Sequence, residues 1–344
     1  MIEKNSPTVF DVAKLAGVSP STVSRVMRNS DNVKEETVKK VLAAAETLDY
    51  RRTSAKGNQK KDWFYAVIIP NILDPFFTNA LKGILDQAKL YNTNIIVYCS
   101  ENNPAKDYDI FKKLVSMELL DGLLIIPSGY DEDFYADISE DPKLPTVFLD
   151  RTPKNYSCSS VTTNDFDGAL QATKHLITLG HRNLLYMGGQ KELSTERERL
   201  RGFLTALKDY DIDFNPANIY EDDFNFESAY KTAKQIIKKK TPFTAAFAAN
   251  DLIALGLKLA LEENGILVPN DVSIVGYGDM TFANYMFLTS VSSPSYEIGK
   301  NAYLLLYNIL KKRVENDQKI ILRPSLIIRD TCKALNGPTN NFNV

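Results

Sequence analysis

Residues 8–29, TVFDVAKLAGVSPSTVSRVMRN, read as two short helices joined by a tight turn. Thr8 can cap the first helix, with Asp11 three residues on to complete a capping box. Val12 and Leu15 supply an apolar face, and Ala13 and Ala16 permit close packing. Gly17 stops the helix where a left-handed residue is wanted. Ser19 caps the second helix, and Pro20 takes its first position, where a missing N–H costs nothing. Val23 and Val26 face inward, which leaves Ser21, Thr22, Ser24, Arg25 and Arg28 outward. A short helix that presents hydroxyls and arginines at its exposed start suits the major groove of DNA. On spacing alone, a solvated helical hairpin within a larger fold stays open as the alternative.

Outward from this stretch, residues 35–48 continue as a third helix, with Val38, Val41, Leu42, Ala45 and Leu48 at helical spacing. Residues 51–62, RRTSAKGNQKKD, have a linker composition: polar, basic and short of hydrophobes. Charge is unevenly spread. Residues 1–61 hold 12 Lys and Arg against 7 Asp and Glu, although the whole chain of 344 residues carries a net −2. A basic head on an acidic body points to a polyanion bound by one end. The length suits two or three domains. Cys99, Cys158 and Cys332 show neither metal spacing nor a disulfide framework, which fits a reducing compartment. MIEKNSPTVF does not read as a signal peptide, and no apolar run reaches membrane length. A cytoplasmic protein with no membrane partner is expected.

From Trp63 the pattern changes to strands alternating with helices. FYAVIIP (64–70), NIIVYCS (94–100), GLLIIP (122–127) and TVFLD (146–150) are strands, with helices near 76–90, 104–118 and 131–139. The series restarts with a helix after residue 162. NLLYMGG (183–189), AAFAAN (245–250) and VSIVGYG (272–278) are then strands, with helices at 195–210 and 251–264 between them. Continuous apolar strands between amphipathic helices argue for parallel sheets covered on both faces. The expected fold is α/β: an all-α helix-turn-helix headpiece followed by two Rossmann-like lobes, with a cleft at the carboxyl ends of their strands.

DVAKLAGVSPSTVSRV resembles, almost position by position, the headpiece of the lactose-repressor/galactose-repressor family of bacterial transcription regulators, and NVKEETVKKVLAAAETLDY resembles its third helix. The resemblance implies a headpiece over 1–50, a hinge over 51–62 and a body of periplasmic-binding-protein type over 63–334. Lobe one would take about 63–161 plus 292–320, and lobe two about 162–291 plus 321–334. The helix at 296–313 would cross back to lobe one, and the tail strand 321–329 would return to lobe two. Residues 335–344, LNGPTNNFNV, read as a disordered tail.

The chain also departs from the family pattern. Lys34 stands where a serine cap is usual. In the hinge, Arg52 replaces a proline, Gly57 lowers helix propensity, and Gln59 stands where a leucine usually wedges into the minor groove. The expected DNA contacts are Thr8, Ser19, Pro20, Ser21, Thr22, Ser24, Arg25, Arg28, Asn29 and Arg51.

For the cleft, the resemblance implies an effector pocket from Asp74, Phe76, Phe77, Asp150, Arg151, Arg199, Phe224, Asn250 and Asp279. Of the two phenylalanines, Phe76 is the one expected to meet ligand and Phe77 the core. Asp150 and Arg151 together can bridge neighbouring hydroxyls. The Asn250 amide can donate to and accept from a ligand, while Asp251 caps the following helix. The family usually has a ligand-binding aspartate where this chain has Gly278, so either Asp279 shifts into that role or the ligand lacks the partner hydroxyl. His181 reads as structural.

The leading function is a transcription regulator, in the sense of a repressor. It would bind a near-palindromic operator as a homodimer and answer to a small effector, a sugar or related metabolite. The dimer surface would lie along helices carrying Leu81, Ile84 and Leu85. A phosphorylated carrier protein is a further partner that some family members use. The competing readings are a periplasmic-type sugar-binding protein without DNA binding, which the basic head opposes, and an enzyme. The sequence holds no nucleophile elbow, phosphate loop or metal cluster, and no cofactor is expected.

Overall fold

The computed structural model describes residues 8–27, 33–48, 62–117, 119–129, 133–141, 143–153 and 157–335. The chain divides into two compact units, residues 1–61 and 62–344.

In the first unit, α1 (Val9–Ala16), α2 (Pro20–Val26) and α3 (Glu35–Thr47) pack around Val12, Ala13, Val23, Val26, Val41, Ala44 and Ala45. The Thr8 hydroxyl and backbone N–H both donate to the Asp11 carboxylate, at 2.6 and 2.8 Å, and the Asp11 N–H returns to Thr8 Oγ1. These bonds, the side-chain one foremost, hold the Asp11 carboxyl below its usual range. Gly17 ends α1 in the left-handed region at φ 66°. Lys34 caps α3 with no side-chain bond. Two core expectations are corrected: Leu15 and Leu42 are half exposed, at 52% and 50%. Three short helices bury only a narrow stripe each, so the outer leucines stay in water.

The second unit begins with β1 (Trp63–Ile69), α4 (Pro75–Tyr91), β2 (Thr93–Cys99), α5 (Pro104–Ser116), β3 (Gly122–Ile125), α6 (Phe134–Glu140), β4 (Thr146–Leu149) and β5 (Ser159–Thr163). The chain then crosses to α7 (Asp165–Thr178), β6 (Leu184–Met187), α8 (Ser194–Asp209), β7 (Ile219–Tyr220), α9 (Phe226–Lys238), β8 (Ala245–Ala248), α10 (Asp251–Glu263), β9 (Ser273–Gly278), α11 (Thr281–Tyr285) and β10 (Thr289–Ser292). It ends with α12 (Ser295–Leu310), β11 (Lys319–Leu322) and β12 (Ser325–Ile327).

The first sheet runs β11-β5-β4-β3-β1-β2, all parallel. The second runs β12-β10-β9-β8-β6-β7, parallel except for β12. Its core is built from near-continuous apolar strands such as Ala245–Ala248, as burial on both faces requires. Helix α12 lies on α4, where Asn79 donates to Ser295 Oγ at 2.8 Å and Tyr296 donates to Asp86 at 3.0 Å.

The tail strand is corrected. Residues 321–329 do not form one strand of the second sheet: β11 joins the first sheet beside β5, and only β12 joins the second. Pro324 lies between them, where a ladder cannot continue without an N–H. The lobe boundary expected at 320/321 therefore moves past Leu322, and the crossing at 161/162 moves past Thr163. Leu85 is 41% exposed, but Ile84 is core at 1%, so Ile84 is no part of an interface. The hinge 51–61 and the tail from 336 lie outside the described residues.

Candidate functional site

In the head, the second helix is built to present its first turn. Ser19 Oγ accepts the Thr22 N–H at 3.2 Å and lies 2.8 Å from both Ser21 Oγ and Thr22 Oγ1. Ser19, Pro20, Ser21 and Arg25 are exposed and Thr22 is half-buried. Ser21 and Arg25, four residues apart, share one face. Thr8 spends its hydroxyl proton on Asp11, so it caps α1 and has only lone pairs to offer a phosphate. Arg28, Asn29 and Arg51 lie outside the described residues, as does the Ser24 side chain.

In the body, a chamber of about 50 Å³ lies between the two sheets at their strand ends. It continues outward into a cavity of about 530 Å³, with which it shares Asp74, Phe77, Arg151, Phe224 and Leu252. Of the nine residues expected from sequence, eight line the chamber. Phe76 and Phe77 do not divide into one ligand residue and one core residue. Both are buried, both pack in the lobe-one core, and both line the chamber, edge to face at 5.7 Å.

Asp150 ends β4 with φ 62°, a conformation that a non-glycine residue holds only when its surroundings impose it. Burial raises its carboxyl to about 6 against the pull of Arg151. Arg151 Nε stands 3.4 Å from Asp150 Oδ2 but makes no hydrogen bond. Its Nη1 donates to Pro127 O at 3.2 Å, and the guanidinium lies 5.5 Å from the Phe77 ring centre. Asp74 caps α4 by accepting the Phe76 N–H at 2.8 Å, and burial raises its carboxyl.

The lobe-two wall is more fully committed. Arg199 Nε and Nη2 each reach Asp165 Oδ1 at 2.8 Å, and Nη1 donates to Ala249 O at 2.8 Å. Its guanidinium lies 3.9 Å from the Tyr277 ring centre. Burial acts to discharge it, but Asp165 outweighs burial and holds it firmly charged. Asn250, not Asp251, caps α10. Its Oδ1 accepts the Ile253 N–H at 2.7 Å, and its Nδ2 donates to Phe224 O at 2.9 Å. The amide thus holds the Phe224 loop, at φ 56°, in place. Asp251 is fully buried and accepts from Ser290 Oγ at 2.6 Å and from the Met280 N–H at 2.7 Å. Burial raises it to about 6.

Asp279 does not shift into the chamber. At φ 50° its carboxylate turns to Arg329 Nη2, 2.7 Å away. Gly278 and Met280 line the chamber in its place, with Thr195, Leu252, Tyr277 and Ser293. Asp251 lines the chamber as well; sequence reasoning gave it only a helix cap, named Gly278 only as the position where the family has its aspartate, and missed the other five as pocket residues. Tyr277 and Gly278 were within reach, because they end a strand already placed at the cleft. His181 is structural: buried, with Thr244 Oγ1 at 3.0 Å from Nδ1 and Ser273 Oγ at 2.9 Å from Nε2. Among the described residues, no cluster of His, Cys, Asp or Glu could hold a metal, and no helix is long and apolar enough to cross a membrane.

A three-helix head with an exposed second-helix turn and a polar, aromatic-lined cleft between two parallel sheets define the class, and relatives agree. Residues 8–53 match the family described as bacterial regulatory proteins, lacI family, and residues 173–332 match the periplasmic binding protein-like domain. The HTH-type transcriptional repressor PurR of Photobacterium profundum is 33% identical over 335 residues, 96% of this chain and 99% of the relative. A crystal structure of the lac repressor dimer bound to operator and the anti-inducer ONPF is 25% identical, with a TM-score of 0.74 over 96% of this chain and 100% of that one. The complex of the transcriptional regulator CelR with cellobiose is also 25% identical, with a TM-score of 0.72 over 94% and 99% of the two chains. The chain belongs to the lacI family of bacterial regulatory proteins and is a DNA-binding transcription regulator, not an enzyme. The head match sets aside a periplasmic sugar-binding protein without DNA binding.

Proposed function

We propose that the protein is a repressor that binds a near-palindromic operator as a homodimer and is controlled by a neutral sugar in the cleft. Ser19, Pro20, Ser21, Thr22, Ser24 and Arg25 would enter the major groove, with Arg28, Asn29, Arg51 and Thr8 at the phosphates. Phosphate contacts supply affinity and base contacts supply specificity. A protein working on operator DNA in this way would act in the cytoplasm, with the nucleoid.

The observation that carries the effector reading is the buried Arg151 Nε, a donor without a hydrogen-bond acceptor beside the Asp150 carboxylate. A sugar hydroxyl can accept from the first and donate to the second, while Phe76, Phe77 and Phe224 cover an apolar ring face. Charge favours a neutral sugar over a sugar phosphate. Arg199 is matched by Asp165 and Arg151 by Asp150, so a phosphate would face Asp74 unmatched. The cellobiose bound to CelR supports the same class.

Ligand pockets span about 300–1,000 Å³, so a chamber of about 50 Å³ admits a sugar only if the sheets move apart. That movement would couple effector to operator. Thermal-shift screening of the full chain with sugars, sugar phosphates and nucleobases tests the reading. Stabilisation by a neutral sugar is expected; stabilisation by a nucleobase or sugar phosphate alone overturns the sugar assignment.

A further inference from the structure

Next to the chamber lies a separate cavity of about 390 Å³, which shares no lining residue with the 530 Å³ mouth. Gly278, Met280 and Ser293 line both the chamber and this rear cavity, so they form the wall between them. Of the three, only Met280 has a long side chain. It reaches from lobe two onto the lobe-one core that contains Phe76 and Phe77.

Its position is imposed from its own side. Buried Asp251 accepts the Met280 N–H, and Ser290, held by the other Asp251 oxygen, accepts the Asp279 N–H at 3.1 Å. Gly278 sits at φ 124°, and a Cβ there would stand 2.8 Å from Met280 Cε. The absent side chain at 278 is therefore what leaves room for the thioether to fold across the opening. A methionine has three soft torsions and can turn aside without moving backbone.

We propose that Met280 sets how far an effector reaches toward the rear, a flexible partition that keeps it out of the rear cavity and whose removal joins chamber and rear cavity into one site that takes a second unit. This rests on the cleft being the effector site. Specificity is built from a clash against the wrong ligand as well as from contacts to the right one, and a larger molecule must first turn this side chain aside. The rear cavity offers Thr78, Asn79, Ser295 and the Tyr296 ring to a second polar unit. A two-ring molecule that passes the wall therefore gains contacts there.

The test measures binding of matched one-unit and two-unit probes by the full chain: D-glucose with cellobiose, D-galactose with lactose, adenine with adenosine. Wild type, Met280→Ala and Met280→Leu are compared by calorimetry. In whichever pair binds, the ratio of two-unit to one-unit affinity should rise at least tenfold in Met280→Ala. It should stay near the wild-type value in Met280→Leu, which keeps the wall and controls for disturbed packing. An unchanged ratio in Met280→Ala, in a pair that wild type binds, overturns the assignment of Met280 and leaves the effector site standing. No binding of any probe to any of the three proteins removes the effector reading, and the partition with it.

Discussion

Arg199 grips a single oxygen of Asp165, with Nε and Nη2 both 2.8 Å from Oδ1 and both residues almost fully buried. The pair joins the start of α7 to the first turns of α8, while Nη1 ties both to the strand end at Ala249. Arg199 lines the chamber, yet each of its three guanidinium nitrogens already has a partner within the protein. Its main work is to hold the lobe-two wall in shape.

Arg199→Ala would leave the Asp165 charge buried without its partner. Breaking such a pair costs about 3–5 kcal/mol. Chemical denaturation of the body should show a loss of that order, with effector response falling as a consequence of the loosened wall. A variant as stable as wild type would contradict this, whatever its effector response.

Asp150→Asn should remove a pH-dependent cost. Burial raises the Asp150 carboxyl from its ordinary 3.8 to about 6, so the folded protein holds this proton more tightly than the unfolded chain. That contribution is fully present below about pH 4 and is lost as pH rises through about 6. The melting temperature of Asp150→Asn relative to wild type should therefore climb between pH 4.5 and pH 7.5. The corresponding gain is on the order of 1–3 kcal/mol, at about 1.4 kcal/mol for each tenfold difference in proton affinity. A difference that does not vary with pH would show that Asp150 is not the charge at issue.

The hinge should be a poor wedge. Gly57 costs about 1 kcal/mol relative to alanine in a helix interior, and Gln59 offers no apolar side chain to unstack a base step. Arg51, Arg52, Lys56, Lys60 and Lys61 leave phosphate neutralisation as its contribution, so binding should depend steeply on salt. Gln59→Leu should increase operator bending in a gel-mobility assay. A strong bend in wild type that the substitution leaves unchanged would refute the expectation.

The local devices of the head were legible in its sequence, because caps act within four residues: Thr8 with Asp11, Gly17, and Ser19 with Thr22 all form as their spacing implies. Most strand positions in the body followed from apolar runs. Strand β5 did not, because SSVTT carries little hydrophobicity although it is almost wholly buried between β4 and β11. At the cleft, sequence placed residues at the right strand ends but could not say which way a side chain turns. Asn250 takes the cap expected of Asp251 because the helix begins with Asp251 itself, and Asp251 instead holds Ser290 and Met280. Asp279 turns to Arg329 because its φ of 50° rotates it off the strand face. Met280 fills the vacated space, which depends on a contact across the cleft that no local pattern records.

Regulation by this protein depends first on the second helix of the head reading DNA. The most direct measurement is fluorescence anisotropy of the full chain on its own promoter region, at fixed salt, for wild type and Arg25→Ala. Wild type should bind a near-palindromic site specifically, and Arg25→Ala should bind it more weakly by on the order of 1–3 kcal/mol, with relaxed sequence preference. Equal affinity and equal preference in the two proteins, or no specific binding by wild type, would contradict the assignment of that helix.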